Sequence, residues 1–254
     1  MRSGRGAEPL DVNALEHWLA ARPPKTLLAS ADRLLIASVD PARPDRMTLR
    51  DRAPQLMAAV QALSDDALSD DATTPLVLTA LLGEAGFDVR PLRAYLAPMV
   101  AGDAMPWREP WRSAFLYWRR RAGLGGGFAS ADLPTEPLLA LYHRVHVIFY
   151  AARYGASPVS RVRHESAMRA CEATLPDVGD DADAVAELLL AEACLTPADN
   201  ARRARLLCAL GQRQDPDGSL SRPRDAPLDA RHHTACVVAL AASLVIGPSS
   251  PSRR

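Results

Sequence analysis

The 254-residue chain is poor in several features that would mark a function class. Only one of its 30 basic residues is a lysine, Lys25, and 30 acidic residues bring the formal net charge to +0. With both signs interspersed there is no long-range field to gather nucleic acid or an anionic membrane, so neither is expected as a partner. Aromatic residues make up 5% of the chain. No segment alternates apolar and polar residues over strand length with β-branched enrichment, which leaves an all-α reading. The longest apolar run, Ala235 to Gly247, spans 13 residues. A bilayer needs about 18 to 20, so this run reads as a buried core helix. The opening Met-Arg-Ser-Gly-Arg-Gly-Ala-Glu-Pro offers no apolar core for a signal peptide. Cys171, Cys194, Cys208 and Cys236 have no C-x-x-C spacing and fall in apolar stretches, as buried thiols of a cytoplasmic protein would.

What is present is helix-forming residues with 3.6-residue periodicity, 48% hydrophobic overall and sufficient for a sizeable core. Helices are expected over 11–21, 29–38, 52–63, 74–87, 91–100, 109–121, 135–154, 159–173, 181–195, 198–213 and 230–246. Asp11, Thr74 before Pro75, and Thr196 before Pro197 are the expected starts. Pro23-Pro24, Gly123–Gly127, Gly155 and Gly211 are the expected stops. The Gly123–Gly127 stretch could link two domains. Unchanged composition on either side favours one array of helical hairpins over 11–247, with flexible ends at 1–10 and 248–254. Trp107, Trp111, Tyr117 and Trp118 are expected to pack as an aromatic anchor, with Arg119, Arg120 and Arg121 complementing the dipole at a helix end.

Five of the six histidines follow residue 140: His143, His146, His164, His232 and His233. On the 135–154 helix, His143 and His146 are three residues apart and share a face with Tyr150, so both imidazoles could reach one metal. The alternative is a core His146 bonded to a neighbouring carbonyl beside an exposed His143. His232 and His233 are about 100° apart on their helix and cannot both point inward. His233, before Thr234 and Cys236, sits near a helix start, where a neutral imidazole suits a metal ligand or general base. The competing reading is a polar patch capping a core helix. Glu165 after His164 is explained by the helix dipole; Glu187 and Glu192 interrupt the apolar run Val185 to Leu195, so one of them could be a carboxylate in a cavity, though the default for Glu is the surface.

Asp65-Asp66-Ala67-Leu68-Ser69-Asp70 matches the D-D-x-x-x-D arrangement that holds magnesium in terpene synthases, and Asp180-Asp181-Ala182-Asp183 is a second acidic cluster. Both are expected between helices, as solvated turn and cap aspartates. The chain contains no G-x-S-x-G, phosphate loop, dinucleotide fingerprint or H-E-x-x-H.

Two resemblances add to this reading. Gln212-Arg-Gln-Asp-Pro-Asp-Gly-Ser-Leu220 followed by His233-Thr234-Ala235-Cys236 resembles the Q-x-x-D-G repeat and H-T helix of the prenyltransferase and squalene-cyclase superfamily. That likeness implies an α/α toroid, with His233 matching a zinc-ligating histidine; the superfamily's D-x-C partner motif is missing. The segment from Leu141 to Gly155 resembles a T-H-x-x-F-Y-x-T-D-F-G segment of an uncharacterised bacterial helical family. His146, Phe149, Tyr150 and Gly155 fall on that pattern, while Val145 and Arg153 replace its Thr and Asp.

The expectation is therefore an all-α protein, an α/α toroid or helical-hairpin array around an apolar cavity with His146 and His233 at its rim. His146, His233 and Tyr150 are the candidate catalytic residues. His143, His146 and His233 are the candidate ligands of a transition metal such as zinc, iron or copper. The function expected is an enzyme of bacterial specialised metabolism acting on a small-molecule or peptidyl apolar substrate, with the histidines as ligands or as an acid–base pair. A non-catalytic binding or scaffold protein using the same cavity is the alternative.

Overall fold

A computed structural model describes residues 9–40, 51–101, 110–125, 133–177, 181–220 and 226–246. Among the described residues the chain forms twelve helices: α1 (Val12–Ala20), α2 (Leu27–Val39), α3 (Ala53–Gln61), α4 (Asp65–Asp70), α5 (Thr73–Glu84), α6 (Arg90–Leu96), α7 (Trp111–Arg121), α8 (Pro137–Ala151), α9 (Arg161–Thr174), α10 (Ala182–Ala193), α11 (Asn200–Gly211) and α12 (Leu228–Ile246). The fold is all-α. Every expected helix is present with its ends displaced by at most four residues. None of the described helices is long and apolar enough to cross a membrane.

Three local features differ from expectation. Strands β1 (Val159–Ser160) and β2 (Leu195–Thr196) pair in parallel ahead of α9 and α11. The Asp65–Asp70 run is helical: Ser64 caps it by accepting the Ala67 amide at 3.2 Å, and Asp65 and Asp66 suit the positive end of its dipole. Only Leu68 of this helix is buried, so it carries no apolar period to read. Two caps are also shifted. Asp71, not Thr74, accepts the Thr73 and Thr74 amides, each at 3.0 Å, and Asp199, not Thr196, accepts the Arg202 amide at 2.9 Å. In both cases the aspartate stands just outside the helix, where its short side chain can fold back onto the first turn. Asp11 caps α1 as expected, taking the Ala14 amide at 2.9 Å.

The chain divides into two compact units, Met1–Pro23 with Thr135–Arg254, and Pro24–Pro134. In the first, α10 is central and packs against α8, α9, α11 and α12, while α1 packs on α12. Its residues from Ala182 to Glu192 are all buried. The turn after α11 fastens α1. Gln214 donates to the Asp11 carbonyl and accepts the Asp11 amide, both at 2.9 Å, and Asp217 accepts the Trp18 indole N–H at 3.2 Å. Gly218 has φ +87°, and a Cβ there would stand 2.3 Å from the Ala14 carbonyl oxygen, so only glycine fits. Leu10, expected in a flexible end, is instead buried and donates its amide to Leu207. Residues 1–8 and 247–254 of the expected flexible ends lie outside the described residues.

Glu192 and Glu165 depart from the surface and dipole roles expected of them. Glu192 is fully buried beneath Arg161 and Arg202, and its Oε1 also accepts the Asp199 amide at 3.0 Å. Arg202, itself buried, reaches Glu165 at 2.9 Å and Glu172 at 3.0 Å as well. One guanidinium fork thus joins α9, α10 and α11, a geometry that a lysine could not reproduce. Arg202 holds the Glu165 carboxyl down to about 2, chiefly through its hydrogen bond.

In the second unit α5 is central, packing on α2, α3 and α7, and α3 packs on α6. Arg121 forks onto Glu84 with two 2.7 Å bonds and lies 4.8 Å over the Trp118 ring, so it is a tertiary tie more than a dipole cation. Arg119 is buried. Trp118 is a core residue as expected, but Trp111 is 53% exposed and does not act as a buried anchor. Trp107 lies outside the described residues.

Candidate functional site

On α8, Tyr142, His146 and Tyr150 recur every four residues and so form one row. Pro137 opens this helix, where a missing amide hydrogen costs nothing. Phe149 and Tyr154 flank the row. Ring centroids lie 5.0 Å apart for His146 and Phe149, 5.4 Å for His146 and Tyr150, and 5.3 Å for Phe149 and Tyr154. Tyr154 is brought back onto the helix by a turn in which it and Arg153 both have positive φ, 53° and 50°. The motif residues His146, Phe149 and Tyr150 are therefore one contiguous aromatic cluster.

Facing this row, α10 presents Asp183 and Glu187, one turn apart on one face. Asp181 caps α10 through the Asp183 amide at 2.9 Å, the role expected of an acidic cluster at a helix start. Asp183 itself is only 1% exposed, contrary to the solvated position expected for it. Its two carboxylate oxygens accept from different helices: Oδ2 from the Tyr142 hydroxyl at 3.0 Å and Oδ1 from the Thr234 hydroxyl of α12 at 2.6 Å.

Glu187 is 6% exposed, also contrary to the surface default. The His146 Nε2 lies 3.1 Å from Oε2, but its N–H is aimed at Oε1, 3.4 Å away. Oε2 is left as a buried carboxylate oxygen with no hydrogen-bond donor. Such an orphan is rare, and each one calls for a physical reason. On the other side of the imidazole, Nδ1 meets the Tyr150 hydroxyl at 3.4 Å.

His233 completes the cluster from α12. One ligating atom each from Asp183, Glu187 and His233 lies within 4.8 Å of the others, with both acids buried and the histidine part-buried. His146 and His233, 87 positions apart in sequence, therefore meet at the same carboxylate, Glu187. His143 is buried on α8, not exposed, and stands outside this converging set. His232 is buried elsewhere in the unit, 6.5 Å from the Trp18 ring and with the Cys236 sulfur 3.6 Å from its Nδ1. His164 lies part-buried on α9, where burial and then the charge of Arg163 lower its pKa.

Sequence reasoning missed Asp183, Tyr142 and Thr234 as members of the cluster, and named Glu187 only as one of two glutamates that could line a cavity. The available signal was an acid pair at i and i+4 inside a helix whose other residues from Ala182 to Ala191 are all apolar. Two acids on one face of a fully buried helix cannot both reach solvent.

The fold and this cluster define an all-helical protein with a buried carboxylate–imidazole centre. The sequence profile of a domain of unknown function, DUF6895, matches residues 34–243, and the chain belongs to that family. The matched region holds every residue of the cluster. No curated protein and no solved structure matches the chain.

Proposed function

We propose that the protein is a metal-dependent enzyme whose centre is formed by Asp183, Glu187 and His233, with His146 hydrogen-bonded behind Glu187. The observation that carries this reading is the donor-less Oε2 of Glu187, on a carboxylate that has an oxygen within 4.8 Å of ligand atoms from two other side chains. A buried anionic oxygen without a donor costs about 1 to 3 kcal/mol or more, and a cation shared with Asp183 and His233 would offset that cost. Carboxylate and imidazole donors suit zinc and iron among the expected metals; copper prefers sites richer in imidazole or sulfur. A divalent ion held there would act as a Lewis acid on a bound oxygen and lower the pKa of a bound water.

The chain's own residues then have distinct tasks. Tyr142 and Thr234 fix Asp183, and His146 orients Glu187. The rings of Phe149, Tyr150 and Tyr154 pack on one another beside His146 and shield it from water; a small or peptidyl apolar substrate is the class proposed. A second reading, acid–base chemistry without metal, is favoured by the Tyr150–His146–Glu187 chain. Glu187 as a carboxylate only accepts, so a neutral His146 carries its proton on Nε2 and accepts the Tyr150 proton at Nδ1.

Metal analysis of the purified protein, followed by calorimetric titration of the chelator-treated protein with zinc(II) and iron(II), separates the readings. The expected result is one equivalent bound by the wild type and none by Asp183→Asn, Glu187→Gln or His233→Ala. A wild-type protein that binds no divalent metal leaves the acid–base enzyme or a non-catalytic binding protein and overturns the metal reading.

A further inference from the structure

We infer that Tyr142 and Thr234 are positioning residues that preset Asp183 as a fixed ligand, and that the centre takes a six-coordinate, oxygen-preferring divalent ion of the manganese(II) or iron(II) kind; this rests on the metal reading above. A carboxylate offers about four lone-pair directions, two on each oxygen. The Tyr142 hydroxyl takes one on Oδ2 and the Thr234 hydroxyl takes one on Oδ1. With a donor on each oxygen from a different helix, rotation about the Cβ–Cγ bond would break both bonds.

The Thr234 hydroxyl has a single proton and two acceptors in reach, Asp183 Oδ1 at 2.6 Å and the Ala230 carbonyl at 3.2 Å. The shorter contact falls in the range of charge-assisted O–H···O⁻ bonds, so the proton goes to an ionised Asp183, the state a ligand requires. Thr234 is fully buried and Tyr142 is 5% exposed, so neither can swing away to solvent. Glu187 is held differently, by one histidine N–H on Oε1, and its free Oε2 is the oxygen left to ligate.

The donor set decides the class of ion. Two carboxylates and one imidazole, without a thiolate, are harder than the sulfur-rich sets of closed zinc sites and leave coordination positions open. Three protein ligands occupy half of an octahedron, and the other half is available to water or substrate oxygen.

The test uses manganese(II), whose free six-line electron paramagnetic resonance signal disappears on binding, and cobalt(II), whose visible bands report coordination number. Wild-type protein is expected to bind one manganese(II) and to give the weak bands of six-coordinate cobalt(II). Thr234→Val and Tyr142→Phe should each weaken manganese(II) binding about 10- to 100-fold, the usual effect of removing an outer-shell partner. Thr234→Ser, which keeps the hydroxyl, should restore it. Should Thr234→Val fail to fold, Tyr142→Phe carries the test, since it removes one oxygen and leaves the ring. Wild-type affinity and an unchanged cobalt(II) spectrum in both variants would overturn the positioning role. Intense four-coordinate cobalt(II) bands would overturn the choice of ion while leaving a metal centre standing. Binding of neither ion by the wild type would remove the metal reading itself.

Discussion

Replacing Glu187 by Gln should stabilise the metal-free protein while destroying its site. Glutamine keeps the shape, and its Oε1 still accepts the His146 Nε2 proton. Its amide nitrogen takes the place of Oε2, the carboxylate oxygen that has no donor. A carboxylate oxygen of Asp183 lies within 4.8 Å of a Glu187 carboxylate oxygen, and a carboxylate oxygen can accept more than one donor. The variant therefore removes a buried charge and an unsatisfied acceptor together, a gain of about 1 to 3 kcal/mol. At roughly 2 to 4 °C per kcal/mol for a chain of this size, the transition of the first unit should rise by about 2 to 12 °C. Scanning calorimetry in the presence of chelator measures this directly. Repeating the scan with manganese(II) at about 100 times its dissociation constant should stabilise the wild type by about 2.7 kcal/mol and leave the variant unmoved. A variant that melts below the wild type in chelator would refute the reasoning, because Oε2 would then be satisfied and the carboxylate would be structural.

Other outcomes follow from the same packing. Arg202→Ala should cost about 3 to 5 kcal/mol by urea denaturation, since it strips a cation from fully buried Glu192 and from Glu165; a loss under about 1 kcal/mol would mean that Arg161 and Arg203 suffice to neutralise Glu192. Glu165 is lowered from 4.5 to about 2, so its contribution is present above pH 4.5 and is lost as pH falls towards 2. Arg202→Ala should flatten that part of the stability–pH curve, and an unchanged acid limb would contradict the pairing. Burial pushes the Cys171 and Cys194 thiols up to about 12, so a thiol reagent at pH 8 should leave both unmodified in the native protein and reach all four cysteines once it is unfolded. Gly218→Ala should loosen α1 by roughly 2 to 4 kcal/mol, read as lost exchange protection over Val12–Ala20, because its Cβ meets backbone that cannot move aside.

The helices were legible because their signal is local. Apolar periodicity, Asp11 at a helix start and the proline and glycine stops place eleven of them to within four residues. What local pattern missed has local causes too. The Asp65–Asp70 helix buries a single leucine, so it depends on the Ser64 cap and the dipole, not on an apolar face. The expected threonine caps are displaced because the helices begin at Thr73 and Asn200, which leaves Thr74 inside the first turn and Thr196 outside it, so Asp71 and Asp199 stand where a cap is needed.

The site was half legible for a different reason. His146 and His233 stand out in sequence because each lies on a largely apolar helix, where the competing readings are a core histidine bonded to a carbonyl and a polar patch at a helix start. Asp183 and Glu187 stand out less: acids near a helix start and on a helix face have ordinary surface roles. Whether those roles apply depends on which helix is central to the packing, and that is set by contacts between residues far apart in the chain. Once α10 is surrounded by α8, α9, α11 and α12, every polar residue on it must find a partner inside the protein. Glu192 finds arginines, and Asp183 finds two hydroxyls. Glu187 finds one imidazole and keeps an oxygen free. The contrast within one helix is one of partners: two acids have donors on both carboxylate oxygens, and the third has a donor on one, which is why the metal proposal rests on Glu187.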